Sequence, residues 1–191
     1  MVKMKLDQST PLMGYIEDFF NVSLSELSGG EICSLAIVSP EDEQMLEATF
    51  NAIFDVSLPQ PGKISNFEGG YIFWTAPHQW FLVHSEMDDC FYDRKLQGQF
   101  NDKMAITLQS DGWARMKIEG PNCRKVLEKF IMLDLDDSVF PVGCAARTLA
   151  GHLNIFILRH GGSNDVYEIW CARSFASSLM ETLKTAARNI G

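Results

Sequence analysis

The residues of this 191-residue chain that could do chemistry are scattered along it. Arg147, Arg159 and Arg173 fall in or beside its last strand-like runs. Guanidinium groups there could clamp a carboxylate bidentately, and pairs with the chain's many acids account for them equally well. Trp74, Trp80, Phe73 and Phe81 could stack on a flat heterocycle, although aromatic residues at such strand positions more often fill a core. Cys33, Cys90, Cys123, Cys144 and Cys171 are odd in number and widely spaced. That pattern points to reduced structural thiols rather than a disulfide framework or a zinc knuckle. Cys144 follows Gly143 with no cationic neighbour beside it in sequence to favour its thiolate.

Other spacings make no site. His78, His84, His152 and His160 lack metal-ligand spacing. Asp134, Asp136 and Asp137 resemble the start of a calcium loop, but Val139 stands at its required glycine and Ala145 at its required glutamate. Gly161-Gly162-Ser163 lies between two strands, which makes it a hairpin turn rather than a phosphate cradle. A nucleophile elbow, a glycine-rich phosphate loop and a dinucleotide fingerprint are all missing. No catalytic residue, cofactor-binding residue or metal ligand is therefore assigned. The residues favour a binding or assembly module over an enzyme.

Composition narrows the classes further. With 16 Lys+Arg against 25 Asp+Glu the net charge is −9, which argues against nucleic acid or an anionic membrane as a partner. Hydrophobic residues make up 46% and charged residues 21%, ordinary values for a globular chain able to bury one core. The first fourteen residues contain no apolar core of a secretory signal, and no run approaches the roughly 18 apolar residues of a membrane span. A cytoplasmic protein is expected.

The elements that must position these residues can be read from periodicity. Residues 1–30 are weakly patterned and end in Ser28-Gly29-Gly30, which predicts an N-terminal arm with one extended piece at 22–27. Phe19, Phe20 and Leu24 are costly to leave in water, so the arm is expected to be ordered by a partner. Strands are predicted at 32–38, 71–75, 80–84, 104–108 and 113–118, and then at 145–150, 153–159 and 166–170. Residues 58–70 read as a loop. Ser39-Pro40-Glu41-Asp42 suits a helix start, and Met45, Leu46, Phe50, Ile53 and Phe54 then share one face. A second helix is predicted over 87–100, and a last one over 174–190 with Ser174 as its cap and Phe175, Leu179, Leu183, Ala187 and Ile190 inward.

The chain also repeats itself. Ile118-Glu-Gly-Pro121 followed by Val126-Leu127-Glu128 echoes Ile37-Val-Ser-Pro40 followed by Met45-Leu46-Glu47, at an offset of 81 residues. The element order is β-α-β-β-α-β, then β-α-β-β with an extra strand before the final helix. This predicts an α+β fold of duplicated split-βαβ, ferredoxin-like halves. The expected organisation is an arm over 1–30 and a single α+β domain over 31–191, with repeats at about 31–110 and 113–190 packed on one continuous sheet.

Phe140-Pro-Val-Gly-Cys-Ala-Ala-Arg-Thr-Leu-Ala150, preceded by Leu133-Asp-Leu135, resembles a motif of the gamma subunit of heterotetrameric sarcosine oxidase. Trp74-x-x-Pro77-x-x-Trp80, Gly120-Pro121 before Val126-Leu127, and Arg173-Ser-Phe-Ala176-x-Ser178-Leu179 resemble three further stretches of that family in the same order. The likeness spans about residues 20–190. Trp113 stands where the family commonly has a small or branched residue. The resemblance implies a non-catalytic subunit of a complex that demethylates sarcosine oxidatively to glycine, passing the one-carbon unit to tetrahydrofolate. It implies alpha, beta and delta subunits as partners, with FAD, FMN, NAD, zinc and tetrahydrofolate belonging to them and no cofactor in this chain. It also implies the fold of the folate-binding domain of the glycine-cleavage aminomethyltransferase. Of the Lys-Gly-Cys-Tyr-x-Gly-Gln-Glu signature of folate-dependent relatives, only Gly143-Cys144 survives here, so the resemblance carries no folate-site residue onto this chain. The alternatives are a folate-binding or assembly module, acting alone or with another methylamine-type dehydrogenase, and an unrelated interaction domain.

Overall fold

A computed structural model describes residues 9–85, 92–162 and 165–190. The first described elements are β1 (Ile16–Phe19) and β2 (Val22–Leu27), a hairpin turning at Asn21 with its φ at +56°. Then follow β3 (Glu31–Ile37), α1 (Glu43–Phe54), β4 (Ile64–Phe67), β5 (Gly70–Ala76), β6 (Gln79–His84), α2 (Tyr92–Phe100) and β7 (Met104–Leu108). The second half runs β8 (Trp113–Glu119), α3 (Cys123–Leu127), β9 (Ala145–Ala150), β10 (Leu153–His160), β11 (Val166–Ala172) and α4 (Ala176–Arg188). None of the described helices is long and apolar enough to cross a membrane.

The strands form two antiparallel sheets, ordered β4-β5-β6-β3-β7 and β1-β2-β8-β11-β10-β9. Period-2 alternation gives each sheet two apolar faces. Outer faces meet helices: Leu46 and Phe50 of α1 and Leu96 and Phe100 of α2 pack on Cys33, Leu35, Ile72 and Leu82. On the other sheet, Val126 and Leu127 of α3 and Leu179 and Leu183 of α4 pack on Leu24, Met116 and Ile118. Inner faces meet each other through Ile32, Phe73, Val83, Ala145, Phe156, Leu158 and Trp170. The layers run helix, sheet, sheet, helix, so the two repeats pack on two sheets and not on one.

The duplication is visible in the strand order. In the first half β7-β3-β6-β5 places strands in the fourth-first-third-second order of a split βαβ unit, with β4 added at the edge. In the second half β8-β11-β10 repeats the first-third-second order, with β9 added at the edge. Its fourth place is taken by β2, which pairs with β8 from Ser23↔Glu119 to Leu27↔Arg115. Residues 22–27 are therefore held by their own chain and not by a partner alone. Val22 and Leu24 alternate with serines, and burying those two on the helix-covered face fixes the register.

Several local expectations differ from the structure. The stretch read as a loop contains β4, a short half-buried edge strand. Strands β7 and β8 flank one turn but belong to different sheets. Ser39 and Ser174 make no side-chain cap; short 3-10 turns at Pro40–Asp42 and Arg173–Phe175 lead into α1 and α4 instead. Met45, Ile53 and Phe175 are 38–46% exposed rather than buried, because the inward stripes are narrower than the apolar pattern. The predicted start of α2 before Tyr92, with Cys90, and Ser163 of the Gly-Gly-Ser turn lie outside the described residues.

Leu46 and Leu127 are both fully buried, in the two helix-facing cores. Leu46→Ala and Leu127→Ala should each destabilise the protein by about 2–5 kcal/mol in denaturant unfolding. A loss below about 0.5 kcal/mol at either site would show that its helix does not pack as described.

Candidate functional site

The most chemically unusual part of the molecule lies between the sheets. Phe73 and Phe81 project from β5 and β6 toward Phe156, Trp170 and Trp113 on the opposite sheet. Ring centroids of Phe73 and Trp170 are 5.1 Å apart in an edge arrangement, and those of Phe81 and Trp170 are 5.8 Å apart and stacked. Trp113 meets Phe81 at 5.3 Å, which accounts for a large ring at that position. Alternation along β5 and β6 sends Trp74 and Trp80 to the other face, against α1 and α2. Trp80 donates its Nε1–H to the Pro59 carbonyl at 2.9 Å. The four aromatic residues therefore form no common platform. They are core.

Beside this layer Glu168 of β11 is 3% exposed. Its Oε1 accepts the Tyr71 hydroxyl from the opposite sheet at 2.7 Å and the Trp170 Nε1–H at 2.8 Å. Its Oε2 lies 3.1 Å from His160 Nε2, and Arg115 Nη1 stands 3.7 Å from Oε1. Burial by itself pushes this carboxyl upward, but the His160 hydrogen bond and the Arg115 charge outweigh it and hold it below the usual carboxylate range. Burial beside that carboxylate pushes the Tyr71 hydroxyl well above its ordinary value, so it remains the donor. The reading of isolated residues misses Glu168. Its signal is an acid in the middle of the otherwise apolar run Val166-Tyr-Glu-Ile-Trp-Cys171.

Arg115 links this network to a cleft of about 670 Å³ whose walls include Gly29, Gly30, Ser110, Trp113 and Arg173. Arg115 Nη2 donates to the Gly29 carbonyl at 2.5 Å, and Arg173 Nη2 to the Ser9 carbonyl at 2.5 Å. Glu26, on the same wall, is occupied by its own chain: it accepts Thr10 Oγ1, Leu12 N and Gly14 N at 2.7–2.9 Å. These groups can bind and orient; they supply no nucleophile with a base beside it.

The three arginines read as a possible clamp do not converge. Arg147 is exposed and lies over the Phe156 ring at 5.8 Å. Arg159 is buried on the opposite face of its sheet, donating to the Phe140 carbonyl at 2.8 Å and pairing with Asp165 and Asp137. It pins the loop before β9. Asp134, Asp136 and Asp137 cap that loop: Asp134 accepts the Asp136 N–H at 2.9 Å, and Asp136 accepts Ser138 N–H and Oγ. The Arg159 hydrogen bond holds the Asp137 carboxyl below its ordinary value. Among the described residues no three His, Cys, Asp or Glu side chains gather as metal ligands. Burial pushes the thiols of Cys33 and Cys123 up to about 12 and that of Cys171 to about 11, as inert structural thiols require. Cys144 differs: Lys63 Nζ reaches its Sγ at 3.4 Å from a position 81 residues away in sequence.

The model of the sarcosine oxidase gamma subunit family matches residues 41–189. The chain belongs to that family. No curated protein matches it at a significant level. Among solved structures, it is similar to a chain of the heterotetrameric sarcosine oxidase from Corynebacterium sp. U-96, with a TM-score of 0.80, 21% identity and coverage of 94% of both chains. It is also similar to the glycine cleavage system aminomethyltransferase T from Bartonella henselae, with a TM-score of 0.69 and 14% identity over 95% of this chain. It spans 61% of that longer protein. This gamma subunit family member thus has the expected α+β architecture, shared with that aminomethyltransferase and built as two antiparallel sheets.

Because the folded Glu168 carboxyl sits below its unfolded value, its stabilisation is complete above the ordinary carboxylate range and is lost as pH falls from there through the lower folded value. Glu168→Gln should cost about 1–3 kcal/mol at neutral pH, by leaving Arg115 without its buried counter-charge. In urea unfolding at several pH values, the gap between variant and parent should narrow as pH falls from about 5 to about 3. A gap independent of pH would contradict the network.

Proposed function

We propose that the chain acts as the non-catalytic gamma subunit of a sarcosine oxidase complex, assembling with alpha, beta and delta subunits in the cytoplasm. The observation that carries this reading is the family match over residues 41–189 together with reciprocal 94% coverage of a chain from a heterotetrameric sarcosine oxidase. On this reading the complex demethylates sarcosine oxidatively to glycine and passes the one-carbon unit to tetrahydrofolate. FAD, FMN, NAD, zinc and the folate reside in the partners, and this chain supplies a rigid packed surface. The site chemistry agrees with that division, since the described residues around the Arg115 cleft bind and orient but pair no nucleophile with a base. The alternative of a folate-binding module draws its support from the aminomethyltransferase likeness alone.

Co-expression with the large subunits of a sarcosine oxidase tests the reading. The chain should elute with them as one assembly that turns over sarcosine. Purified alone it should be colourless, show no sarcosine oxidation and give no heat on titration with tetrahydrofolate. Elution apart from the large subunits, or turnover by the chain alone, would overturn the subunit role; saturable folate binding would favour the alternative.

A further inference from the structure

Residues 63 and 144 occupy equivalent positions of the two halves, separated by the same 81 residues as the repeated strand-to-helix turns. The fold sets them face to face. Ile64 N–H donates to the Gly143 carbonyl at 2.9 Å, and Ala145 N–H to the Gly62 carbonyl at 2.9 Å. These reciprocal bonds, related by the local two-fold between the halves, make Lys63↔Cys144 an isolated β-bridge between the two sheets. Gly62 and Gly143 take φ of +76° and +83°, a turn conformation repeated on both sides of the axis. The backbone of each residue is tied down again within its own half: the Lys63 carbonyl accepts Trp74 N–H at 3.2 Å, and the Cys144 carbonyl accepts Arg159 N–H at 2.9 Å.

From this framework the exposed Lys63 side chain lays its amine 3.4 Å from the Cys144 sulfur. Cys144 as a residue is 7% exposed, and the exposed Lys63 side chain reaches its sulfur from the surface. A flexible four-carbon stem on one partner and a backbone locked on both leave a gap that one bridging atom closes with a small movement. Cys33, Cys123 and Cys171 carry no such amine in the contacts described for them.

We propose that Lys63 and Cys144 are the site of an oxidative N–O–S crosslink that staples the two sheets, with dioxygen as the oxidant. The Cys144 S–H bond and one N–H bond of the Lys63 amine break, the O–O bond cleaves, and S–O and O–N bonds form. Sulfur and nitrogen give up two electrons each, and dioxygen accepts all four. One oxygen atom becomes the bridge, and the other leaves as water with the two displaced hydrogens. The step uses only residues of this chain and is independent of its assembly with other subunits. It adds a covalent link to a junction held otherwise by two backbone hydrogen bonds, and a link across an 81-residue loop constrains the unfolded chain strongly.

The test is made on the full chain, kept under nitrogen or in air-saturated buffer and then digested for mass spectrometry. In air, the Lys63 and Cys144 peptides should be recovered as one species whose mass is their sum plus one oxygen and minus two hydrogens. A thiol reductant should split it. The oxidised protein should melt about 5–10 °C above the reduced one. Lys63→Arg and Cys144→Ser, each read separately, should abolish both the joined species and the shift in melting. Recovery of Cys144 as a free thiol in air, or carrying only whole-oxygen additions, would overturn the proposal. So would a joined species that persists in Lys63→Arg.

Discussion

The structure depends on how two sheets can press their inner faces together with a carboxylate between them. Phe73, Phe81, Phe156 and Trp170 fill most of that layer, and such rings would tolerate many relative placements of the sheets. Glu168 removes the freedom. Taking an ionised carboxylate out of water is expensive unless its oxygens are satisfied, and here the donor that satisfies Oε1 across the interface is Tyr71 of the other sheet. Sliding the sheets would strand the charge. The aromatic layer supplies the driving force, and the Tyr71–Glu168 contact with Arg115 and His160 around it sets the alignment.

That alignment has consequences at both ends of the layer. At one end Arg115 reaches from the network to the Gly29 carbonyl and shapes the wall of the open cleft. At the other, the reciprocal bonds around Lys63 and Cys144 close the two sheets along the axis relating the halves. The same geometry separates Arg147, Arg159 and Arg173 into three local roles. A family member whose interior is committed in this way has its outer surface left for partners, in keeping with a subunit role.

Much of the fold was legible because its signals are local. The i, i+4 stripe with Leu46 and Phe50, the β-α order and the 81-residue offset need only neighbouring residues to be seen. Pairing is not local, and there the reading stops. Nothing within residues 104–118 says that β7 and β8 part into different sheets, and nothing within 1–30 says that β2 fills the empty fourth place beside β8. The β2 alternation of Val22 and Leu24 with serines was a usable signal, as was the acid at 168 inside an apolar strand. The Lys63–Cys144 approach had no signal in either residue's neighbourhood; it follows only from superposing the repeats.

The inter-sheet layer makes the two halves one cooperative body. Equilibrium urea unfolding of the full chain, followed at once by far-ultraviolet circular dichroism and by tryptophan fluorescence, decides this. Trp74 and Trp80 report on the first half and Trp113 and Trp170 on the layer as seen from the second. One transition with coincident midpoints from both probes is the predicted result. Two separated transitions, with one half unfolding while the other keeps its secondary structure, would contradict it.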